Sequence, residues 1–300
     1  MKTSVYITNQ VIMAAVGNDD GRKLNVTGCY RTELPEGLVD SGVVADADAL
    51  RQQLSDFFKR NNIPRKKINL VLGNDIVMLK TLDAPIIPHA RLKQVARNEM
   101  GGHRDEENAL IYDYAVLKPA PGENGMGRIM AVSADKEVVQ RYLDVFAAAK
   151  ISLGGIDVAQ NCASRLCERL SELAGRTFVL AFLIGSEMTS MLFSGNECLI
   201  INRIQLYEDR GTPSAAVEIS RGLSSMVQFN YTLNAEHPLT NIYLSDLTGE
   251  EKQFLGEMVE ALGVPVGPLL LPAEITGPYA KLEYPDFGVY FFCLGGLLKA

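Results

Sequence analysis

The chain has 300 residues, 47% of them hydrophobic and 22% charged, an ordinary globular composition long enough for two domains. Its net charge of -7 excludes the basic field that non-specific nucleic-acid binding needs. Its five cysteines are odd in number and scattered, with no CxxC pair. That excludes a zinc ribbon or a disulfide framework and predicts buried, reduced thiols of a cytosolic protein.

"SVYITNQVIMAAVG" reads as one strand turning into a second, and "KLNVTGCYRTELP" as a third. Thr8, Asn9 and Gln10 interrupt any apolar run, so no signal peptide is expected. "ADADALRQQLSDFFKRNN" puts Leu50, Leu54, Phe57 and Phe58 on one helical face, with Asp46 or Asp48 as the N-cap. "KINLVLG" reads as a strand buried on both faces. Three strands, a helix and a strand are the opening order of an RNase H-like domain.

A compact α+β unit is expected next, over residues 75–153. It reads strand ("IVMLKTLDAP"), helix ("HARLKQVARNEM"), strand ("ALIYDYAVLK"), strand ("GRIMAVSAD") and helix ("EVVQRYLDVFAAAK"). In that last helix Val139, Leu143 and Phe146 share the predicted core face. "KPAPGENGMG" is read as a hairpin loop, and "GGHRDEEN" as a charged loop whose His103 stands alone.

"GGIDVAQNCASRLCERLSELAG" returns as a strand and a helix. A second meander follows in "TFVLAFLIG", "EMTSMLFSG" and "ECLIINRIQL". A helix then spaces Ala216, Ile219, Leu223, Met226 and Asn230 at steps of three and four. After the strand "NIYLSD", Thr248 with Glu251 three residues on reads as a capping box, opening a helix that buries Phe254, Leu255, Met258 and Leu262. Asp286 is expected to cap a final apolar helix. "GVYFFCLGGLLKA" is too short to span a bilayer. The second half thus repeats the first in order, and the expected class is α/β.

The run from "LPEGLVDSGVV" through "KINLVLGNDIVMLKTLDAPIIPHARLKQVARNEM", with "NALIYDYAVL", "KISLGGIDV" and "NIYLSD", resembles the PilM-type assembly proteins of type IV pili, relatives of FtsA and actin. The resemblance implies an actin-like fold of two RNase H-like domains with an inserted α+β subdomain and a reduced second half. The first domain would hold residues 1–74, completed by 154–175 and a C-terminal helix at 286–300. The insert would be 75–153, and the second domain 176–285.

The resemblance also implies a nucleotide cleft, and here the chain departs from the pattern. In the first phosphate hairpin, "YITNQVIM", Tyr6 stands for the metal-side acid, Thr8 for the glycine and Met13 for the lysine. In the second, "LIGSEMT", Gly185, Ser186 and Thr189 fit a phosphate hairpin, but Leu183 stands for the acid. In the adenosine turn, "LSDLTG", Asp246 and Leu247 replace glycines. Losing two acids and a lysine removes roughly 5–9 kcal/mol of charge-assisted contact. That would take a micromolar site to millimolar or weaker. The expectation is a pseudo-ATPase: no catalytic residue, no metal and no cofactor, with Gly185, Ser186 and Thr189 a vestigial hairpin. ATP with Mg belongs to the alternative, a nucleotide-binding ATPase or switch with unconventional ligands. A sugar-kinase-like enzyme is a weaker reading, since no acidic base stands out in the cleft.

Other candidate chemistry is thin. Asp19 and Asp20 read as a solvated turn, His89 and His237 lack partners at metal spacing, and Ser186 lacks a G-x-S-x-G elbow. The resemblance implies a cytoplasmic scaffold, peripheral to the inner face of the membrane. It would bind the cytoplasmic tail of a single-pass, PilN-like inner-membrane pilus protein, with other platform proteins as further partners. The tail groove would be lined by residues 76–81, 109–116 and 154–158. Tyr112, Tyr114, Met78 and Lys80 are its candidate contacts, because amphipathic aromatics are favoured at interfaces.

Overall fold

The computed structural model describes residues 1–73, 75–85, 87–102, 109–118, 126–278 and 287–299. Strands β1 (Lys2–Ile7), β2 (Val11–Asp19) and β3 (Leu24–Glu33) form the expected first meander. The short pair β4 (Val39–Asp40) and β5 (Val43–Val44) precedes helix α1 (Ala47–Arg60) and strand β6 (Ile68–Leu72). Then come β7 (Val77–Pro85), α2 (His89–Glu99), β8 (Leu110–Lys118), β9 (Met126–Asp135) and α3 (Lys136–Ala148). After β10 (Leu153–Val158) and α4 (Ala159–Arg169), the second meander is β11 (Thr177–Ile184), β12 (Glu187–Ser194) and β13 (Glu197–Gln205). The chain continues through α5 (Pro213–Leu233), β14 (Asn241–Ser245), α6 (Leu255–Leu262), β15 (Val266–Gly267), β16 (Ile275–Thr276) and α7 (Phe291–Leu297).

The helices start where their caps put them. Asp46 is extended and its carboxylate accepts from Ala49 N, so α1 begins at Ala47 and buries Leu50, Leu54, Phe57 and Phe58. Asp135 accepts from the Glu137 and Val138 amides at the head of α3. Thr212 caps α5, whose first residue is Pro213, a position where the missing N–H costs nothing. Gly263, left-handed at φ 66°, ends α6.

Two readings of the sequence are corrected. The core face of α3 is Val139, Tyr142, Val145 and Phe146, and Leu143 is only half-buried. The arc turns toward Tyr142 because its hydroxyl donates to the buried Gly42 carbonyl at 2.7 Å. The helix after Thr248 starts as a 3-10 turn over Glu251–Phe254, so Phe254 and Leu255 flank the core while Met258 and Leu262 enter it. The segment "VPVGPLLLPAE" after α6 carries the short strand β15. The expected capping by Asp286 lies outside the described residues.

One sheet runs β10-β6-β1-β2-β3-β16 and another β13-β12-β11-β14-β15. Each has an antiparallel meander whose first strand pairs in parallel with the strand after the next helix: β1 with β6, and β11 with β14. A further parallel strand follows in each, β10 beside β6 and β15 beside β14. The half-to-half repetition of order is therefore a repetition of topology.

The chain divides into two compact units, Thr3–Ile12 with Arg31–Asn161, and Met1–Lys2 with Met13–Tyr30 and Cys162–Ala300. In the first, α1 packs on α3, and a three-stranded antiparallel sheet, β7-β9-β8, carries α2 on one face. In the second, Val179, Leu183, Ile219, Leu223 and Met258 join β11, α5 and α6 in one core. The Phe182 ring lies tilted against that of Phe292 in α7, with 4.5 Å between centroids. Gly295 of α7 lies so close to the Cys162 carbonyl that a Cβ there would overlap it. No disulfide joins any of the five cysteines, and Cys162, Cys167 and Cys293 are buried. Among the described residues no helix is long and apolar enough to cross a membrane.

Candidate functional site

β11 and β12 pair out to Ile184 opposite Glu187, leaving Gly185 and Ser186 as the turn. Gly185 sits at φ 57°, a conformation that suits the first central residue of a tight hairpin and favours glycine. Its carbonyl accepts from Arg210 Nη1 at 3.1 Å. Ser186 is held on both groups: its carbonyl accepts from Leu206 N at 2.7 Å and its hydroxyl from Gln205 Nε2 at 2.8 Å. Thr189 lies farther along β12, half-buried between Phe182 and Arg203. Leu183 is fully buried in the core that α5 and α6 build. A carboxylate at that position would have no water and no cation.

Arg210 organises the surroundings of this turn from the short link between β13 and α5. Its Nε and Nη2 donate to the two carboxylate oxygens of Glu251 at 2.5 and 2.6 Å, and Nη2 also donates to the Asp246 carbonyl at 2.6 Å. The Glu251 side chain is 0% exposed and that of Arg210 18%. Glu251 further accepts from Thr248 N at 2.9 Å, while Glu251 N donates to Thr248 Oγ1 at 3.2 Å, which closes the expected capping box. Burial pushes the Glu251 carboxyl up. The hydrogen bonds from Arg210 and the backbone outweigh that and hold it below the usual carboxylate range. Asp246 takes φ 63° in the same loop, where a glycine would be unstrained. Leu247 lies against the α5–α6 core.

One guanidinium thus ties the 185–186 turn to the 246–251 loop. These are the two segments that the sequence resemblance assigns to phosphate and adenosine. Arg210 and Glu251 stand 41 residues apart, and only the capping-box motif at Thr248 marked either of them in the sequence.

The three-stranded sheet gathers the other predicted residues. Met78 and Tyr112 both lie opposite Ser133 of β9, and Lys80 and Tyr114 both lie opposite Ala131. Directly opposed residues share a face, so all four project from one side of the sheet. That side carries α2. Arg97 lies 5.5 Å from the Tyr112 ring centroid, and Tyr112 is 9% exposed. The Tyr114 hydroxyl lies 2.7 Å from His89 Nδ1 with the two rings tilted against each other. Lys80 pairs with Glu99 at 2.7 Å. Met78, 63% exposed, is the member of the four that presents apolar surface to solvent. β7 and β8 are the outer strands with β9 between them, so residues 76–81 and 109–116 line opposite edges about 10 Å apart. Residues 154–158 belong to β10, beside β6.

Compared with solved structures, the whole chain superposes on a PilM–PilN type IV pilus biogenesis complex. The TM-score is 0.78 over 99% of this chain and 98% of that one, at 18% identity. A protein from Bacteroides thetaiotaomicron, of actin-like ATPase fold and unknown function, matches at TM-score 0.53 and 10% identity, over 89% of this chain and 90% of that one. The fold is actin-like. Another structure similar in fold is the cytoplasmic domain of EpsL, an inner-membrane component of the type II secretion system of Vibrio cholerae. Its TM-score is 0.50 at 11% identity, over 99% of this chain and 95% of that one. No protein-family model and no curated protein matches the sequence. In this actin-like chain the second half is reduced, since residues 206–212 run directly from β13 to α5.

Proposed function

We propose that the protein is a non-catalytic scaffold of the inner-membrane assembly platform of a type IV pilus or related secretion or competence apparatus. It would sit on the cytoplasmic face and hold the cytoplasmic tail of a single-pass, PilN-like membrane protein. The observation that carries this reading is the chain-long likeness to the PilM–PilN complex. The likeness to the cytoplasmic domain of EpsL supports the same setting. The domain division that goes with it is 1–74 with 154–175 and 286–300, an insert at 75–153, and 176–285.

The non-catalytic part rests on the site. The acid expected at Leu183 is a core side chain, and the turn and the following loop are joined by Arg210 rather than left open to an anion. Tyr6 and Met13 supply neither a metal-side carboxylate nor a phosphate-side cation. The tail would dock as an extended segment, by strand addition or groove capture, at an edge of the three-stranded sheet. Exposed Met78 on β7 is the apolar contact of that edge.

Isothermal titration of the full chain against synthetic N-terminal tails of candidate partners, and separately against Mg-ATP, tests both parts. We expect saturable binding of one tail, weakened about tenfold by Met78→Asp. No heat is expected with Mg-ATP. Saturable micromolar Mg-ATP binding would overturn the scaffold reading in favour of a nucleotide switch. Failure of every tail to bind would overturn the platform assignment.

A further inference from the structure

The end of the first unit that carries the N-termini of β6 and β10 holds a groove of about 530 Å³ that neither the hairpin nor the three-stranded sheet uses. Leu143, Ala147, Ile151 and Leu153 give it an apolar floor, with Gln140 and Asp144 on one side. Leu143 is the α3 residue that the sequence pattern assigned to the core and the structure leaves half-buried. Its exposed edge is part of this lining.

Cations surround the groove. Lys150 lines it directly. Lys66 and Lys67 flank it, because Ser152, in its wall, donates to the Arg65 carbonyl and accepts from Ile68 N at 2.8 and 2.9 Å. Gly154 lies against the Lys67 backbone, where a Cβ would come within 3.0 Å. The last turn of α1, which packs on α3, adds Lys59 and Arg60. All five are exposed, and among the described residues none has an ion-pair partner. Arg65, by contrast, is committed to the Ala149 and Ser55 carbonyls.

A bland account is that Lys59, Arg60 and Lys150 offset the negative ends of α1 and α3. Each helix end carries about half an elementary charge, so two ends account for about one of the five cations. Asp144 in the lining, which accepts from Gln140 Nε2 at 2.8 Å, offsets one more, and about three remain as a positive collar on a chain whose net charge is -7. We propose that this collar and groove dock an acidic, amphipathic segment of a partner polypeptide. Its apolar side chains would seat against Leu143, Ala147 and Leu153 while its carboxylates meet Lys66, Lys67 and Lys150. A concave apolar floor fits side chains that protrude from a helix or strand. A flat anionic bilayer would need protruding apolar anchors, and among the described residues none of the large exposed hydrophobics, Met78 and Ile111 among them, lines this groove. This inference does not rest on the platform reading.

The test uses the full chain and a fluorescein-labelled amphipathic helix of about fifteen residues, Leu on one face and Glu on the other, near the length at which isolated helices become marginal. A second peptide carries Lys for Glu. We expect the Glu peptide to raise anisotropy with a Kd of about 10–100 µM and the Lys peptide to give none. The triple variant Lys66→Glu, Lys67→Glu, Lys150→Glu should bind at least about tenfold more weakly, and Ala147→Trp, which fills the floor, should bind weakly at unchanged net charge. Both variants should keep the tail binding of the wild type, which separates this groove from the tail site. Binding that survives both variants, no binding of the Glu peptide, or stronger binding to anionic phosphatidylglycerol vesicles than to the peptide would overturn the proposal. So would self-association of the wild type that the triple variant abolishes in sedimentation.

Discussion

Leu183→Asp is expected to unfold the protein at ambient temperature rather than to create a nucleotide site. The substitution returns the acid that the phosphate hairpin of actin-like ATPases carries. In this chain, however, Leu183 is fully buried against Val179, Ile219, Leu223 and Met258. Removing the leucine side chain there costs about 2–5 kcal/mol. A carboxylate in its place adds an unpaired buried charge, or a protonated acid without a partner, for a further ~1–3 kcal/mol. The sum is comparable to the whole stability of a typical domain, about 5–15 kcal/mol. Loss of the cooperative unfolding transition by circular dichroism, with no Mg-ATP heat, is the expected result. A folded variant that binds Mg-ATP would show that the position faces solvent and that the site had lost only its acid. Leu183→Met, which conserves volume, should cost less than about 1.5 kcal/mol and controls for the site itself.

Arg210→Ala is the second large effect, at about 3–5 kcal/mol. It strands the Glu251 carboxylate, which is 0% exposed, and takes the side-chain donor from the Gly185 and Asp246 carbonyls. Most of the loss is the penalty for a buried unpaired charge, so replacing both partners at once, with Arg210→Met and Glu251→Met, should cost less than Arg210→Ala alone. The pH dependence gives the same test independently. In the wild type the folded pKa of Glu251 lies below its unfolded value of about 4.5, so its stabilisation is complete above that value and is lost as pH falls through the folded pKa. In Arg210→Ala the hydrogen bonds and charge of Arg210 are gone and only backbone hydrogen bonds still oppose burial, so the carboxyl rises relative to the wild type and the variant is relieved as the acid protonates. Urea midpoints of the two proteins should therefore converge below about pH 4. Midpoints that stay parallel across that range would mean that Arg210 acts by packing alone.

Much of the architecture was legible in the sequence because it rests on local physics. Asp46, Thr212 and the Thr248–Glu251 pair cap their helices as short-range chemistry dictates. The continuous apolar run "TFVLAFLI" makes β11 a strand buried along nearly its whole length, as a central strand covered on both faces must be. Leu143 shows where local physics stops. The period of α3 admits it to the core face, and the hydrogen bond from Tyr142 to Gly42, 100 residues away in sequence, rotates the buried arc past it. The short strands β15 and β16 carry two residues each, too few for a periodic signal, and exist only through their partners β14 and β3.

The candidate sites divide in the same way. That "LIGSEMT" makes a glycine turn lacking the family's acid, and that "LSDLTG" departs from a glycine-rich turn, follows from residue identity. What joins those two segments does not. Arg210 sits in "EDRGT" with nothing beside it to mark a role, and its partners are supplied by a turn and a loop distant in sequence. Likewise the chemistry of Tyr112, Tyr114, Met78 and Lys80 is visible in the sequence, but their common face and the cover that α2 gives the two tyrosines come from the register of β9. The collar of Lys66, Lys67 and Lys150 is half visible as the run "RKK", and its third member arrives only because the chain after α3 runs beside it. Caps, turns and amphipathic period act within a few residues, so the sequence alone determines them. A buried ion pair and a charged rim depend on which distant segments the sheets bring side by side, and the tertiary structure decided both.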